Sequence, residues 1–282
     1  MSDSDVPSVR FRRIGLELRR LRLEAGMSIH RAGSFLGRSA SSLSLIENGI
    51  QPIRPRDLEY ILIKFGFEPG DPFREAMLEL AQDGRKSGWW RQYSGVLTPI
   101  FMDFISLETD CRKLDSFQTL VIPGLLQTPA YARSLIKADT PREIERAVRI
   151  RMARQNVLTS CEPPEVTMIL NESALWQQIG DAEVMRGQME RLIEVSELPN
   201  LSLRVIPFKA GGHRGLRGPF TKLEVGERGR LSVVTLETSQ GMSYVERPED
   251  VLRHAQIFAE LRLIAMDESE TRSFIDRLRS NT

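Results

Sequence analysis

Residues 39–49 read SASSLSLIENG, four serines set among a few apolar residues and closed by Glu-Asn-Gly. Serine is a poor residue for a helix interior, yet Leu43 and Ile46 stand three apart, as on one helix face. The flanking sequence gives this segment its setting. Upstream, Phe11, Ile14, Leu18, Leu21 and Ala25 follow a three-or-four spacing that predicts an amphipathic helix ending at Gly26. Ser28 is a good cap for a second, short helix, SIHRAGSFLG, with Ala32, Phe35 and Leu36 inward and Gly33 where another helix approaches closely. Gly37 ends that helix, Ser39 caps the third and Gly49 ends it. Pro55 then opens a fourth helix (Leu58, Ile61, Leu62, Phe65) and Pro72 a fifth (Phe73, Met77, Leu80), each where the missing N–H costs nothing.

Two short helices separated by a tight glycine-containing turn, inside a five-helix bundle, predict a helix-turn-helix. The serine-dotted helix then has one apolar side for the bundle and one side of small polar groups. Small side chains let such a helix enter a major groove, where hydroxyls meet base edges and phosphates. A helix merely facing solvent would carry Glu, Lys and Gln, which have better helix propensity. Charge agrees with this reading. Residues 10–56 hold ten arginines against three acids, a net of +7, although the whole chain is only +1. A basic module joined to an acidic remainder is the footprint of a nucleic-acid binder with a separate regulatory body.

The segment MSIHRAGSFLGRSASSLSLIENGIQPIRPRDLEYILIKFG resembles the Cro/C1 (XRE-type) helix-turn-helix domain in order and spacing. The resemblance implies that Ala40, Ser41 and Leu45 face base edges, with Ser39 and Ser44 on the same helix. It places Asn48 and the following loop near phosphates, which makes Arg54 and Arg56 phosphate contacts, and gives Arg38, beside the turn, a base or phosphate contact. Arg22 and Glu47 match a structural ion pair linking the first and third helices. Two positions depart from the family: Ile29 stands where Gln is frequent, and Leu45 where a polar or basic residue is common. Leu45 either meets a thymine methyl or packs in the core or against a neighbouring domain.

Beyond a turn-rich segment, DGRKSGWWRQYSG, the pattern changes. Trp89, Trp90 and Tyr93 either stack on a ligand or, as expected of large aromatic side chains, pack this linker onto a domain. A helix is expected over TPIFMDFISLETDCRKL and a strand over DSFQTLVIPG. Thr128-Pro129 and Thr140-Pro141 each open a helix, the second with a capping box to Glu143, and Asp181 caps another. EVTMIL, LSLRVIPF, GPFTKLEV, RLSVVTLE and MSYVE alternate as strands, with KAGGHRGLRG expected as a long hairpin connection, and two helices close the chain. The fold class expected is α+β: an all-α five-helix helix-turn-helix bundle (1–84), a linker (85–98), and a mixed α+β domain with a mostly antiparallel sheet (99–282).

VIPGLLQTPAYARSLI, RMARQNVL, QMERLI, LRVIPFKAGGHRGLRGPF and SYVE resemble the C-terminal domain of unknown function that follows a Cro/C1-type helix-turn-helix in a large family of actinobacterial regulators, best known from WhiJ-like developmental regulators. The resemblance implies a cytoplasmic regulator whose second domain receives a signal, either a small BldB-like partner protein or a small-molecule ligand. Loop 208–217 and the PGLLQTP turn, with Gln127, His213, Arg214 and Arg217, form the expected contact surface.

Catalysis is not expected. His30, His213 and His254 lie far apart, no metal-ligand spacing occurs, and KAGGHRGLRG lacks the ending of a phosphate loop, so no metal and no cofactor is anticipated. Cys111 and Cys161 read as two lone thiols rather than a disulfide. No apolar run spans a membrane, and the polar N-terminus is not a secretory signal. The function expected is therefore a dimeric, sequence-specific transcriptional repressor, binding double-stranded DNA at an inverted repeat. The alternative is a protein–protein adaptor or antitoxin-like module.

Overall fold

The computed structural model describes residues 8–84, 88–138, 140–226, 231–238 and 241–281. The start of the chain and residues 85–87 of the expected linker lie outside them. The chain divides into two compact units, residues 1–110 with 225–231, and residues 111–224 with 232–282.

The first unit is helical: α1 (Val9–Glu24), α2 (Ile29–Leu36), α3 (Ala40–Glu47), α4 (Pro55–Lys64), α5 (Pro72–Asp83) and α6 (Pro99–Thr109). Local chemistry sets the boundaries. The Ser28 and Ser39 hydroxyls accept from the backbone N–H of Arg31 and Ser42, each satisfying a donor that the first helical turn leaves unpaired. Gly37 closes α2 in the left-handed region at φ +65°, which a side chain there would resist. Ile14, Leu18, Leu43, Ile46, Leu58, Ile61 and Leu62 are each 2% exposed or less, and burial of one such side chain contributes roughly 1.5–3 kcal/mol.

Several positions differ from the sequence expectation. Ala25 is exposed because α1 has already ended there. Phe35 is 40% exposed and meets Phe65 edge-on at 6.1 Å, at the rim of the bundle rather than inside it. A Cβ on Gly33 would meet the Arg38 carbonyl oxygen at 2.7 Å and the Ala40 N at 3.3 Å, so the close approach there is by the turn together with the first residue of α3. The helix-crossing glycine is Gly15, whose absent Cβ would lie 2.5 Å from the carbonyl oxygens of Ile46 and Glu47. Residues 99–109 belong with this unit, whereas the sequence boundary assigned them to the second domain. Arg10 on α1 reaches the Ser106 hydroxyl at 2.9 Å and Asp110 at 2.7 Å.

The second unit contains β1 (Cys111–Gln118), α7 (Pro129–Leu135), α8 (Pro141–Arg154), β2 (Glu165–Asn171), α9 (Ser173–Trp176), α10 (Ala182–Val195), β3 (Leu201–Ile206), β4 (Phe220–Val225), β5 (Leu231–Thr238), β6 (Gly241–Val245), α11 (Pro248–Ile264) and α12 (Glu268–Asn281). The six strands form one sheet in the order β3-β2-β1-β4-β5-β6. The sheet is mostly antiparallel, but β1–β2 and β2–β3 pair in parallel, with Leu114 opposite Val166 and Val166 opposite Leu201. Strands β3 and β4 are separated by β2 and β1, so the segment KAGGHRGLRG is a crossover and not a hairpin. On one sheet face Phe117, Ile169, Ile206, Phe220 and Val234 pack with Val251, Phe258 and Leu261 of α11.

The helix expected through Leu114 stops at Thr109, and Cys111 opens β1 instead. The strand expected through Gly124 ends at Gln118. The Thr140–Glu143 capping box forms as the spacing anticipated. Cys111 is buried and Cys161 exposed, and both are free thiols. Among the described residues no helix is long and apolar enough to cross a membrane.

Two measurements test this account. Gly15→Ala gains helix propensity but drives a methyl group into α3 backbone, so it lowers the unfolding free energy by about 1–3 kcal/mol, read from urea unfolding followed by circular dichroism. At the β3 edge, hydrogen bonding from the Ser202 hydroxyl, aided by Arg204, holds Glu268 down from 4.5 to about 2. A carboxylate with a lowered folded-state value contributes stability that is complete above the unfolded value and fades as pH falls toward the folded one. The α12 contact therefore weakens between pH 4.5 and about 2, and Glu268→Gln flattens that part of the stability-versus-pH curve.

Candidate nucleic-acid interface

Helix α3 presents Ser41, Leu45 and Asn48 to solvent, with Ala40 and Ser44 half-buried beside them. These positions recur at helical spacing, so they share one face. Leu43 and Ile46 lie on the opposite face, at 1% and 2% exposure. Leu45 is 42% exposed, which removes the core-packing reading of that residue. Asn48 donates its side-chain amide to the Ser44 carbonyl at 2.8 Å. That bond orders the end of α3 and leaves the Asn48 side-chain oxygen as an acceptor.

The orientation of α3 rests on Arg22 and Glu47. The Arg22 guanidinium donates to both Glu47 oxygens, at 2.7 and 2.9 Å, and to the Met27 carbonyl at 2.9 Å. Their side chains are 11% and 5% exposed. The hydrogen bond that Arg22 donates to Glu47 raises the pKa of Arg22 further. Gly49 (φ +72°) packs directly on the Arg12 backbone, where a Cβ would come within 2.8 Å.

The loop after α3 is anchored by Ile53, 2% exposed, a buried residue that no sequence periodicity singled out because it stands alone between two prolines. It delivers Arg54 and Pro55 to the N-terminus of α4. Arg54 occupies the N-cap position with no side-chain capping bond, and Arg54 and Arg56 are both exposed. Together with Arg38, Asp57 and Tyr60 they line an open cleft of about 670 Å³. Arg38 pairs with Asp57 at 3.2 Å. Tyr60, 48% exposed, escaped the sequence reading, although it lies one helical turn beyond Arg56. The cleft combines guanidinium groups with the positive end of a helix, which is the chemistry that holds a phosphate.

The sequence count of +7 overstates the free charge. Arg10 is buried against Asp110, Arg13 and Arg20 pair with Glu17, and Arg22 is committed to Glu47. Among the described residues, Arg19, Arg31, Arg54 and Arg56 have no ion-pair partner and remain exposed. Apart from Arg19 on α1, this unspent positive charge lies on α2 and at the start of α4.

In the second unit the expected contact residues separate: Arg214 and Arg217 are exposed, whereas Gln127 is buried. Gln127 is 2% exposed. Its amide donates to the Ile122 carbonyl at 2.6 Å and its oxygen accepts from Arg151 at 2.7 Å. Gln155 bonds the carbonyls of Gly124 and Gln127, and Gln188 bonds the Leu126 carbonyl and the Thr128 N–H. The PGLLQTP turn is thus a buried corner clamped by three glutamines, and Gln127 is part of that clamp rather than of a surface. His213 instead lies edge-on to Phe117, 5.9 Å between ring centres, with Nε2 3.4 Å from the Asn171 amide. Burial lowers its pKa, and its Nδ1 has no hydrogen-bond partner. Arg214 pairs with Glu260 at 3.0 Å, while Arg217 is exposed. Among the described residues no group of three or more His, Cys, Asp or Glu side chains is placed to hold a metal.

Residues 101–277 match a family described as a domain of unknown function, DUF5753, and residues 13–76 match a helix-turn-helix domain family. Neither a curated protein nor a solved structure matches the chain. The helix-turn-helix match suggests a DNA-binding regulator.

Breaking the Arg22–Glu47 pair tests the scaffold beneath α3. Glu47→Ala strands a buried guanidinium and costs about 3–5 kcal/mol in chemical unfolding. Arg22→Met combined with Glu47→Leu removes both charges and recovers most of that loss.

Proposed function

The chain belongs to the DUF5753 family, whose domain covers well over half of its length, and on that premise we propose that it is a sequence-specific transcriptional regulator, a dimeric repressor of the XRE type. Helix α3 enters the major groove with Ala40, Ser41 and Leu45 toward the bases, Ser39 and Ser44 at the margins and Asn48 near the phosphates. Arg54 and Arg56 take phosphates at the N-terminus of α4, and Arg38 exchanges its Asp57 partner for phosphate or base. The observation that carries this reading is the pairing of a small-residue exposed helix face with flanking arginines that have no internal partner.

With neither Gln nor Arg on the exposed face of α3, direct readout is modest, and each base contact contributes about 1–3 kcal/mol of discrimination. Phosphate contacts supply most of the affinity and none of the sequence information. Two subunits place their α3 helices about one DNA turn apart on an inverted repeat. The second unit receives the signal, a ligand or a small BldB-like partner, and alters operator affinity through differential binding to two pairing geometries. The protein acts in the cytoplasm on chromosomal DNA, as in the developmental regulators of actinobacteria that it resembles, and has no catalytic role.

Arg54→Ala with Arg56→Ala tests the proposal. Affinity falls for every DNA sequence alike, and the slope of log affinity against log salt becomes shallower by about 0.9 for each phosphate that the variant no longer neutralises. Genome-wide DNA capture with the wild type enriches a palindromic motif, and the double variant loses that enrichment. Absence of any enriched motif, together with a salt slope that the variant leaves unchanged, favours the adaptor reading.

A further inference from the structure

In the second unit, helix α11 is apolar on two opposite sides. Val251, Phe258 and Leu261 face the sheet and pack with Phe117, Phe220 and Val234. On the far side Leu252, Gln256, Ala259 and Leu263 recur at spacings of four, three and four residues, and all of them are exposed. Leu252 is 60% exposed and Leu263 86%. A surface helix ordinarily keeps one apolar stripe and turns polar residues outward. The four-three-four repeat is the seam by which one helix packs into another.

The flanks of this outer stripe select the helix that fits it. Helical spacing puts Arg253 and Glu260 along one flank and Ala255 and Arg262 along the other. Arg253 and Glu260 are both more than half exposed, and neither is fully engaged. Arg253 reaches Asp250 only at 3.6 Å. Glu260 accepts from Arg214 through Oε1 at 3.0 Å, which leaves Oε2 for a second guanidinium. Laid antiparallel about a two-fold axis, two such helices set Leu252 of each copy against Leu263 of the other and Gln256 against Ala259. The same register faces Arg253 of each copy with Glu260 of the other. Laid parallel, every stripe residue meets its own counterpart, two glutamines confront each other, and neither Arg253 nor Glu260 meets an opposite charge.

We infer that the outer face of α11 is the surface through which two copies of this chain associate, helix against helix and antiparallel, with Leu252 on Leu263 at each end and Arg253 paired with Glu260 across the axis. A two-fold contact requires a patch that complements itself, and this one does so in both its apolar and its charged residues. The stripe is about 16 Å long at 1.5 Å per residue, and the small side chain of Ala259 near its middle lets the two backbones approach. The leucines supply association, while the charges fix direction and register. This pairing rests on the dimeric reading above and supplies its surface, and it needs no contact between α3 and DNA.

The test is sedimentation velocity on the full-length protein without DNA, in which the wild type dimerises reversibly as concentration rises. Leu263→Glu, at a position that folding leaves in solvent, raises the dimer dissociation constant at least about tenfold while circular dichroism stays that of the wild type. Arg253→Glu and Glu260→Arg each weaken the dimer, and both on one chain restore it, because the exchanged charges meet again across the axis. With Cys161→Ser removing the exposed thiol, a mixture of Leu252→Cys and Leu263→Cys chains forms a disulfide-linked pair on oxidation, and Leu252→Cys alone does not. The inference is overturned if the dimer survives Leu263→Glu, if the double charge exchange fails to restore it, or if Leu252→Cys links to itself; the dimeric reading then stands with another surface. A wild type that is monomeric at every concentration overturns the inference and the dimeric reading together.

Discussion

The two oxygens of Glu47 receive the guanidinium of Arg22 in a nearly dry seam, and the recognition helix candidate depends on that contact for its place. Helix α3 is eight residues long and rich in serine, too short and too poor in propensity to be stable alone. Its apolar anchor is narrow, Leu43 and Ile46. What compensates is a close crossing with α1: Gly15 admits the α3 backbone, Arg22 clamps its last turn, and Gly49 lies on Arg12. Because this grip comes from the inner face and the C-terminal end, the outer face is free to carry small side chains with no structural duty. The serines are tolerable because the fold, rather than local propensity, holds the helix.

Charge shows the same division of labour. On α1, Arg10, Arg13, Arg20 and Arg22 serve the scaffold through Asp110, Glu17, Glu24 and Glu47. Those at the α4 entrance have no such duty. Arg38 is intermediate, held by Asp57 on the same wall that Arg54 and Arg56 line. An exposed pair of that kind contributes little to stability, so exchanging Asp57 for a phosphate costs little. The geometry is that of a surface kept electrostatically open beside a helix kept sterically open.

In the second unit the polar side chains are spent inward. Gln127, Gln155 and Gln188 satisfy the backbone of a corner that has no strand or helix partners of its own, and Tyr131 accepts the Ile122 N–H at 3.3 Å. Buried backbone groups without such partners are costly. This explains why the PGLLQTP segment is chemically distinctive without being a contact surface. The exposed edge of β3 is likewise covered: the Thr271 hydroxyl accepts from the Val205 N–H, and Met266 donates to the Val205 carbonyl.

The sequence by itself determined the helix-turn-helix. Caps at Ser28 and Ser39, stops at Gly37 and Gly49, the prolines at 55 and 72, and the Leu43–Ile46 spacing are all local signals, encoded within one or two turns of the residues they organise. The same locality made the Thr140–Glu143 box and most strands of the second unit legible. Tertiary structure alone decided the rest. Whether Phe35 and Leu45 face inward depends on where neighbouring helices run. Which arginines remain unpaired depends on partners as distant as Ser106 from Arg10. The parallel pairing of β1, β2 and β3, and the burial of Gln127, require crossovers that no periodicity records. Hydrophobic spacing and capping act over a few residues, whereas the satisfaction of a buried polar group is settled only by what packing brings against it.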